Sequence, residues 1–245
     1  MGLCYSALAL SICLLATIAR AQAGSSAADV TAIVQRMLAA QDENRKHLRT
    51  FIVKRDYQLL DKRLEPKAQV IAEITYLSPG EKLYRIESST GGMGEKILRD
   101  VLAHETAPGD ARRRELSLEN YNFQLIAERS VVGRPCYVLA VTPKREEKDL
   151  IRGQIWVDAQ SYKIHRIEGK PAKNPSWWIR DLFILMTFAD VSGMWLQTSI
   201  QAVATVRFKG QYTMVTHDLE YFSAEPTASE IRGGSGILAG APLRP

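Results

Sequence analysis

Cysteine is scarce in this chain, three in 245 residues, and two of them, Cys4 and Cys13, sit in an apolar leading segment. A chain released from that segment keeps only Cys136, so no intramolecular disulfide can form and the fold must rest on a hydrophobic core. Cys136 lies in a strand pattern beside Pro135 and Tyr137, which suits a buried, inert thiol better than a nucleophile. Long apolar runs are also scarce. Ala7 to Ala19 falls short of the roughly 20 residues that span a bilayer, and Trp177 to Ala189 is broken by Arg180 and Asp181. Neither sign of charge dominates: 32 Lys and Arg against 27 Asp and Glu give a net +5, too even a balance for a dedicated nucleic-acid binder.

Patterns that carry chemistry are missing too. The four histidines, His47, His104, His165 and His217, are isolated in sequence. His104-Glu105 opens like H-E-x-x-H, but Pro108 stands where the second His belongs. Gly91-Gly92-Met93-Gly94-Glu95-Lys96 is followed by Ile97, where a phosphate-binding loop needs Ser or Thr. No G-x-S-x-G occurs. The expectation is therefore no catalytic residue, no metal site and no cofactor.

What is present is an ordinary globular composition, 46% hydrophobic and 24% charged, which excludes a disordered or low-complexity chain. Ala7 to Ala19 has the length of a signal-peptide apolar region, and Ala19-Arg20-Ala21 and Ala21-Gln22-Ala23 are overlapping A-x-A cleavage sites. Residues 1–23 are thus expected to be a signal peptide, with the exported chain starting at Gln22 or Gly24. Met1 to Ser6 carries no Lys or Arg, so an uncleaved amino-terminal anchor stays open. A lipid on Cys13 is a third reading, against which Ile12 stands where a small side chain is wanted.

Past the leader, Asp29 to Leu48 reads as a helix, with Val30, Ile33, Val34, Met37 and Leu38 recurring at three and four. At Thr50 the period changes to two: Phe51, Val53, Arg55, Tyr57 and Leu59 share one face of a strand. Two further strands, around Val70 to Tyr76 and Lys82 to Ser88, complete a meander. Glu95 to His104 is a short helix with a stripe of Ile97, Leu98, Val101 and Leu102. Ala107 to Arg114 reads as a mobile polar loop, whose three arginines could meet anionic headgroups or a partner. Seven more strands follow, the last three spanning Ile179 to Val191, Met194 to Phe208 and Gln211 to Phe222. Ten strands and few helices predict a large, mostly β, antiparallel sheet in one domain over residues 24–222, with 223–245 as a loosely ordered tail.

A wide sheet with one apolar face must curl or be covered. Alternation places Phe51, Val53, Ile74, Tyr76, Leu182, Ile184, Met186, Phe188 and Ile200 on that face, and the short helix adds Leu98 and Leu102. These residues are the candidate apolar cavity. The short helix, entered through Gly91 to Gly94, is either a movable lid over the cavity or a static cap. Trp177-Trp178, read as part of a strand, would send one indole to each face.

The order of these elements, together with Val132-Gly133-Arg134-Pro135-Cys136-Tyr137-Val138-Leu139-Ala140-Val141-Thr142-Pro143-Lys144, Gly153-Gln154-Ile155-Trp156-Val157-Asp158 and Ile164-His165-Arg166-Ile167-Glu168, resembles the outer-membrane lipoprotein-sorting superfamily. That group includes LolA-like carriers, LolB-like receptors and the amino-terminal domain of RseB/MucB-like regulators. The resemblance implies a curved antiparallel sheet forming an incomplete (half) β-barrel, covered by helices and sheltering acyl chains, with neither catalysis nor a cofactor. The expected function is an exported periplasmic lipid- or lipoprotein-binding carrier. An RseB-like lipid-sensing regulatory or interaction module is the alternative. Expected partners are lipid or lipoprotein acyl chains and an envelope protein acting as donor or acceptor; nucleic acid and a membrane-spanning state are not expected. The tail and the insert between Pro143 and Gly153 depart from the LolA pattern, and no position matches that family's lid residues.

Overall fold

The structure is a computed structural model and describes residues 26–77, 81–107, 111–131 and 133–223. The expected signal peptide and nearly all of the expected tail lie outside the described residues. Helix α1 (Ser26–His47) is followed by strands β1 (Phe51–Asp61), β2 (Pro66–Leu77) and β3 (Glu81–Ser89), then by helices α2 (Met93–Thr106) and α3 (Ala111–Arg114). The strands resume as β4 (Tyr121–Val131), β5 (Arg134–Pro143), β6 (Ile151–Asp158), β7 (Ile164–Pro171), β8 (Ile179–Val191), β9 (Met194–Val206) and β10 (Gly210–Ser223).

All ten strands form a single antiparallel sheet in the order β3-β2-β1-β10-β9-β8-β7-β6-β5-β4. It is an open, curved sheet, with β3 and β4 as its edges. Eight of the nine neighbour pairs are made by strands consecutive in sequence, as short connections dictate. The exception, β1 against β10, runs from Phe51↔Ser223 to Asp61↔Tyr212 and joins the first strand to the last.

Register shows how one face is assembled. A single row crosses nine strands: Phe123, Val141, Gly153, Gly169, Ile184, Ala202, Met214, Leu59 and Ala68. Both long helices lie on this face. α1 sets Ile33, Val34 and Met37 among Leu139, Val141, Ile155 and Ile167. α2 sets Leu98 and Leu102 among Val53, Tyr57, Val70 and Ile74. The opposite face of β1 to β3 is charged, with Lys54 on Glu87 at 2.7 Å and Arg85 on Glu73 at 2.6 Å.

Two close approaches shape the inner face. A Cβ on Gly153 would lie 2.0 Å from the Glu168 carbonyl, so β6 and β7 can meet there only through glycine. A Cβ on Gly94 would lie 2.8 Å from that of Ala68, so the first turn of α2 rests directly on β2. Gly94 therefore belongs to the helix and its seat, not to a hinge ahead of it.

Several expectations are corrected in detail. Residues 111–114 form a short helix instead of a free loop: Arg113 pairs with Glu147 at 2.7 Å, and Asn120 donates to the carbonyls of Arg112 (2.6 Å) and Glu115 (2.8 Å). The buried stripe of α2 is Leu98, Leu102 and Thr106, while Ile97 is exposed, because the seat is narrower than a four-residue stripe. β9 stops at Val206, so Phe208 leaves the strand face for the hairpin tip. Trp177 and Trp178 precede β8 and stack on each other, centroids 4.7 Å apart, because no strand pairing forces them to opposite sides.

Candidate functional site

The two helices cover the ends of the inner face and leave its centre bare. α2 lies over β1 to β3, and α1 lies over β4 to β7 and meets the start of β9 through Asn44, so the uncovered stretch is the middle of β8, β9 and β10. Cross-strand partners there are Leu182 with Ala204, Ile184 with Ala202 and Met186 with Ile200 on β8 and β9. Tyr212 and Met214 of β10 stand opposite Ala204 and Ala202. These side chains are half-buried. Small alanines down the middle of β9, flanked by larger groups on both sides, give the strip a trough-like section. At β7 it meets the bare backbone of Gly169, which stands opposite Ile184.

The candidate cavity residues divide into two sets. Leu182, Ile184, Met186, Phe188 and Ile200 are half-buried on the central strands, with Met186 and Phe188 also touching the core beneath α1. Phe51, Val53, Ile74, Leu98 and Leu102 are packed core beneath α2. Tyr76 is at that core's rim, its ring stacked on Phe51 at 4.4 Å. Alternation reads which face a residue is on. It does not read where a helix comes to rest on that face.

Between the trough and α2 lies a buried charged cluster. Arg55 is nearly inaccessible, and its guanidinium meets Asp218 through Nε and, at 3.1 Å, through Nη2. Its Nη1 reaches Glu105 of α2 at 2.8 Å, and Nη2 also donates to the Gln197 carbonyl at 3.3 Å. The Tyr57 hydroxyl donates to Glu105 at 2.7 Å, and the Tyr221 hydroxyl donates to Asp218. Burial, followed by the nearby carboxylates, pushes the Tyr57 and Tyr221 hydroxyls far above the usual range, so both remain protonated donors. Burial opposes the charge on Arg55, but Asp218 and Glu105 outweigh it and hold the guanidinium charged. This cluster fastens the end of α2 to β1 and β10. The signal for it in the sequence is one charged residue, Arg55, in an otherwise apolar register.

Groups suited to acid-base or metal chemistry are dispersed. His104 faces Asp149 at 3.1 Å, His165 faces Asp158 at 3.4 Å, and His47 faces Glu43 at 3.1 Å. Among the described residues no three His, Cys, Asp or Glu side chains gather as a metal site would require. Cys136 is buried, and burial raises its thiol pKa, with the Asp158 charge adding to the effect. Among the described residues no helix is long and apolar enough to cross a membrane.

An open curved sheet with its helices on one face is the fold of the outer-membrane lipoprotein-sorting proteins. An outer membrane lipoprotein-sorting protein domain from Vibrio parahaemolyticus superposes with a TM-score of 0.50 at 12% identity, over 84% of this chain and 97% of that one. A DUF1329 family protein from Desulfovibrio piger gives a TM-score of 0.43 at 15% identity, over 82% and 95%. A LolA superfamily protein from Nitrosomonas europaea gives 0.37 at 13% identity, over 77% and 92%. No family model and no curated protein matches the sequence. The likeness is one of fold.

Proposed function

We propose that this protein is exported and binds acyl chains of a lipid or lipoprotein along the strip that β8, β9 and β10 leave open between the two helices. One observation carries the reading: aliphatic side chains and a methionine stay only half-buried in adjacent register on the same face that α2 and α1 cover to either side. Leaving such surface in water has a free-energy cost that an acyl chain would remove. The likeness in fold to a lipoprotein-sorting domain supports the same reading. The leading apolar segment with its paired A-x-A sites supports export. Protein sequencing of the exported chain should find Gln22 or Gly24 at its amino end; an intact Met1 would replace export and cleavage by anchoring.

Ile184→Glu is the direct test, because Ile184 stands in the strip without belonging to either packed core. A dansylated fatty acid should bind the variant at least about tenfold more weakly, with the melting temperature nearly unchanged. Equal affinity in a folded variant would remove the strip as the site. Phe188→Ala is less clean, since Phe188 also packs beneath α1.

A further inference from the structure

One end of the sheet gathers apolar side chains that the fold does not use. The tip of the β1–β2 hairpin presents Leu64, 65% exposed, and the tip of the β9–β10 hairpin presents Phe208, fully exposed. These tips are neighbours, since Asp61 stands opposite Tyr212 and Gly210 opposite Val206. Trp177 and Trp178 join them: Nε and the backbone N–H of Arg207 donate to the two tryptophan carbonyls, each at 2.8 Å. The stacked indoles are 69% and 56% exposed.

Turn chemistry does not account for these residues. Leu64 and Phe208 both hold positive φ, +62° and +65°, a conformation that strains a bulky side chain and suits Gly or Asn. Core packing does not account for them either, because they touch none. The charge around them is positive in balance. Asp61 and Glu65 both engage Lys67 at 3.1 Å. Among the described residues Lys62, Arg63, Arg207 and Lys209 pair with no carboxylate, and all four are exposed.

We infer that this tip docks on an anionic lipid surface, with Leu64, Phe208 and the tryptophan pair entering the headgroup boundary and the four cations meeting lipid phosphates. Indoles and a phenyl ring at the ends of rigid strands, ringed by Lys and Arg that no carboxylate among the described residues neutralises, suit the interfacial zone, where an apolar body and polar rim are both satisfied. Surplus positive charge favours this occupant over an apolar protein groove. The inference uses residues outside the acyl strip and stands or falls separately from it.

The test is sedimentation of the exported protein with vesicles of phosphatidylglycerol and phosphatidylcholine, against phosphatidylcholine alone. Binding should require phosphatidylglycerol, weaken in high salt and be accompanied by quenching of tryptophan emission by brominated acyl chains. Leu64→Asn with Phe208→Asn should bind these vesicles about tenfold more weakly. Asn tolerates positive φ, so the same variant should melt no lower than the parent and bind the dansylated fatty acid unchanged. Vesicle binding and quenching equal to the parent's would overturn the inference. So would no binding by the parent at all, which would leave the tip as a protein-docking surface.

Discussion

The two covered ends of the sheet hold their helices by different chemistry. Beneath α1 the buried contact is apolar, Ile33, Val34 and Met37 against Leu139, Val141 and Ile155, and its polar fastenings lie outside that core: Asn44 on the backbone of Trp195, Arg36 on the Tyr162 hydroxyl at 2.6 Å and Arg45 on Glu115 at 2.6 Å. Beneath α2 an apolar seat of Leu98 and Leu102 is joined to a buried ion cluster of Arg55, Asp218 and Glu105. Apolar contact is graded and tolerant of small shifts, whereas a buried ion cluster depends on every member being in place. The α1 end is thus built as a permanent wall, and the α2 end as a seat whose position is specified by charge. The open strip lies between a wall and a positioned cover, which is where an elongated apolar ligand could be admitted without rebuilding the core.

The largest break in this comparison should come from Arg55→Met. It leaves Asp218 and Glu105 buried beside an apolar side chain, and removing one partner of a buried pair costs about 3–5 kcal/mol. Urea unfolding should show that loss. Adding Glu105→Gln and Asp218→Asn should return most of it, because the stranded charges are then gone. If Arg55→Met alone were nearly neutral, the α2 end would be held by Leu98 and Leu102 as the α1 end is by its aliphatics, and the contrast would vanish.

A smaller effect is expected at Asp158, at the end of β6 on the α1 side. One carboxylate oxygen accepts from the backbone N–H groups of Gln160 and Ser161, at 2.9 and 2.7 Å, and from the Ser161 hydroxyl at 3.0 Å. Burial alone would raise its pKa, but these donors and His165 outweigh burial and hold the carboxyl below its ordinary range. A depressed carboxyl stabilises the fold in full above its unfolded value and loses that contribution as pH falls through the folded value. Asp158→Ala should therefore lose about 1.5–3 kcal/mol at neutral pH, and the difference from the parent should shrink as acid is added. A difference constant down to acid pH would mean that the turn, and not the charge, holds this hairpin.

Most of the architecture was legible because it follows from local rules. Period two gave all ten strands, several with their bounds, and period 3.6 gave α1 and α2. Ile97 was misread because a stripe of four apolar residues does not say how wide the seat will be. Phe208 and the tryptophan pair were misread because strand alternation was carried past the last ladder hydrogen bond. At the candidate site, alternation placed Ile184 and Ile74 alike on the inner face, yet one is half-open and the other lies under α2. That distinction depends on where a helix far away in sequence comes to rest. Glu105 and Asp218 gave no local sign of meeting at Arg55, since the contacts span 50 and 163 residues.

The smallest expected effect sharpens the comparison from the α1 side. Asn44 donates to the Trp195 carbonyl at 2.9 Å and accepts from the Trp195 N–H at 2.8 Å, so one side chain makes both bonds that a neighbouring strand would make at the start of β9. The site is only partly buried, and water can replace the amide on either group, so Asn44→Ala should cost about 1 kcal/mol. The loss should be local. Amides of the last turn of α1, residues 44–47, should exchange faster, while those around Val34 and Met37, deep in apolar contact, should keep the protection of the parent. A permanent wall frays at its end in this way without leaving the sheet. If Asn44→Ala released the whole helix to exchange, the apolar contact would not suffice to hold α1, and both helices would be covers set in place by polar fastenings.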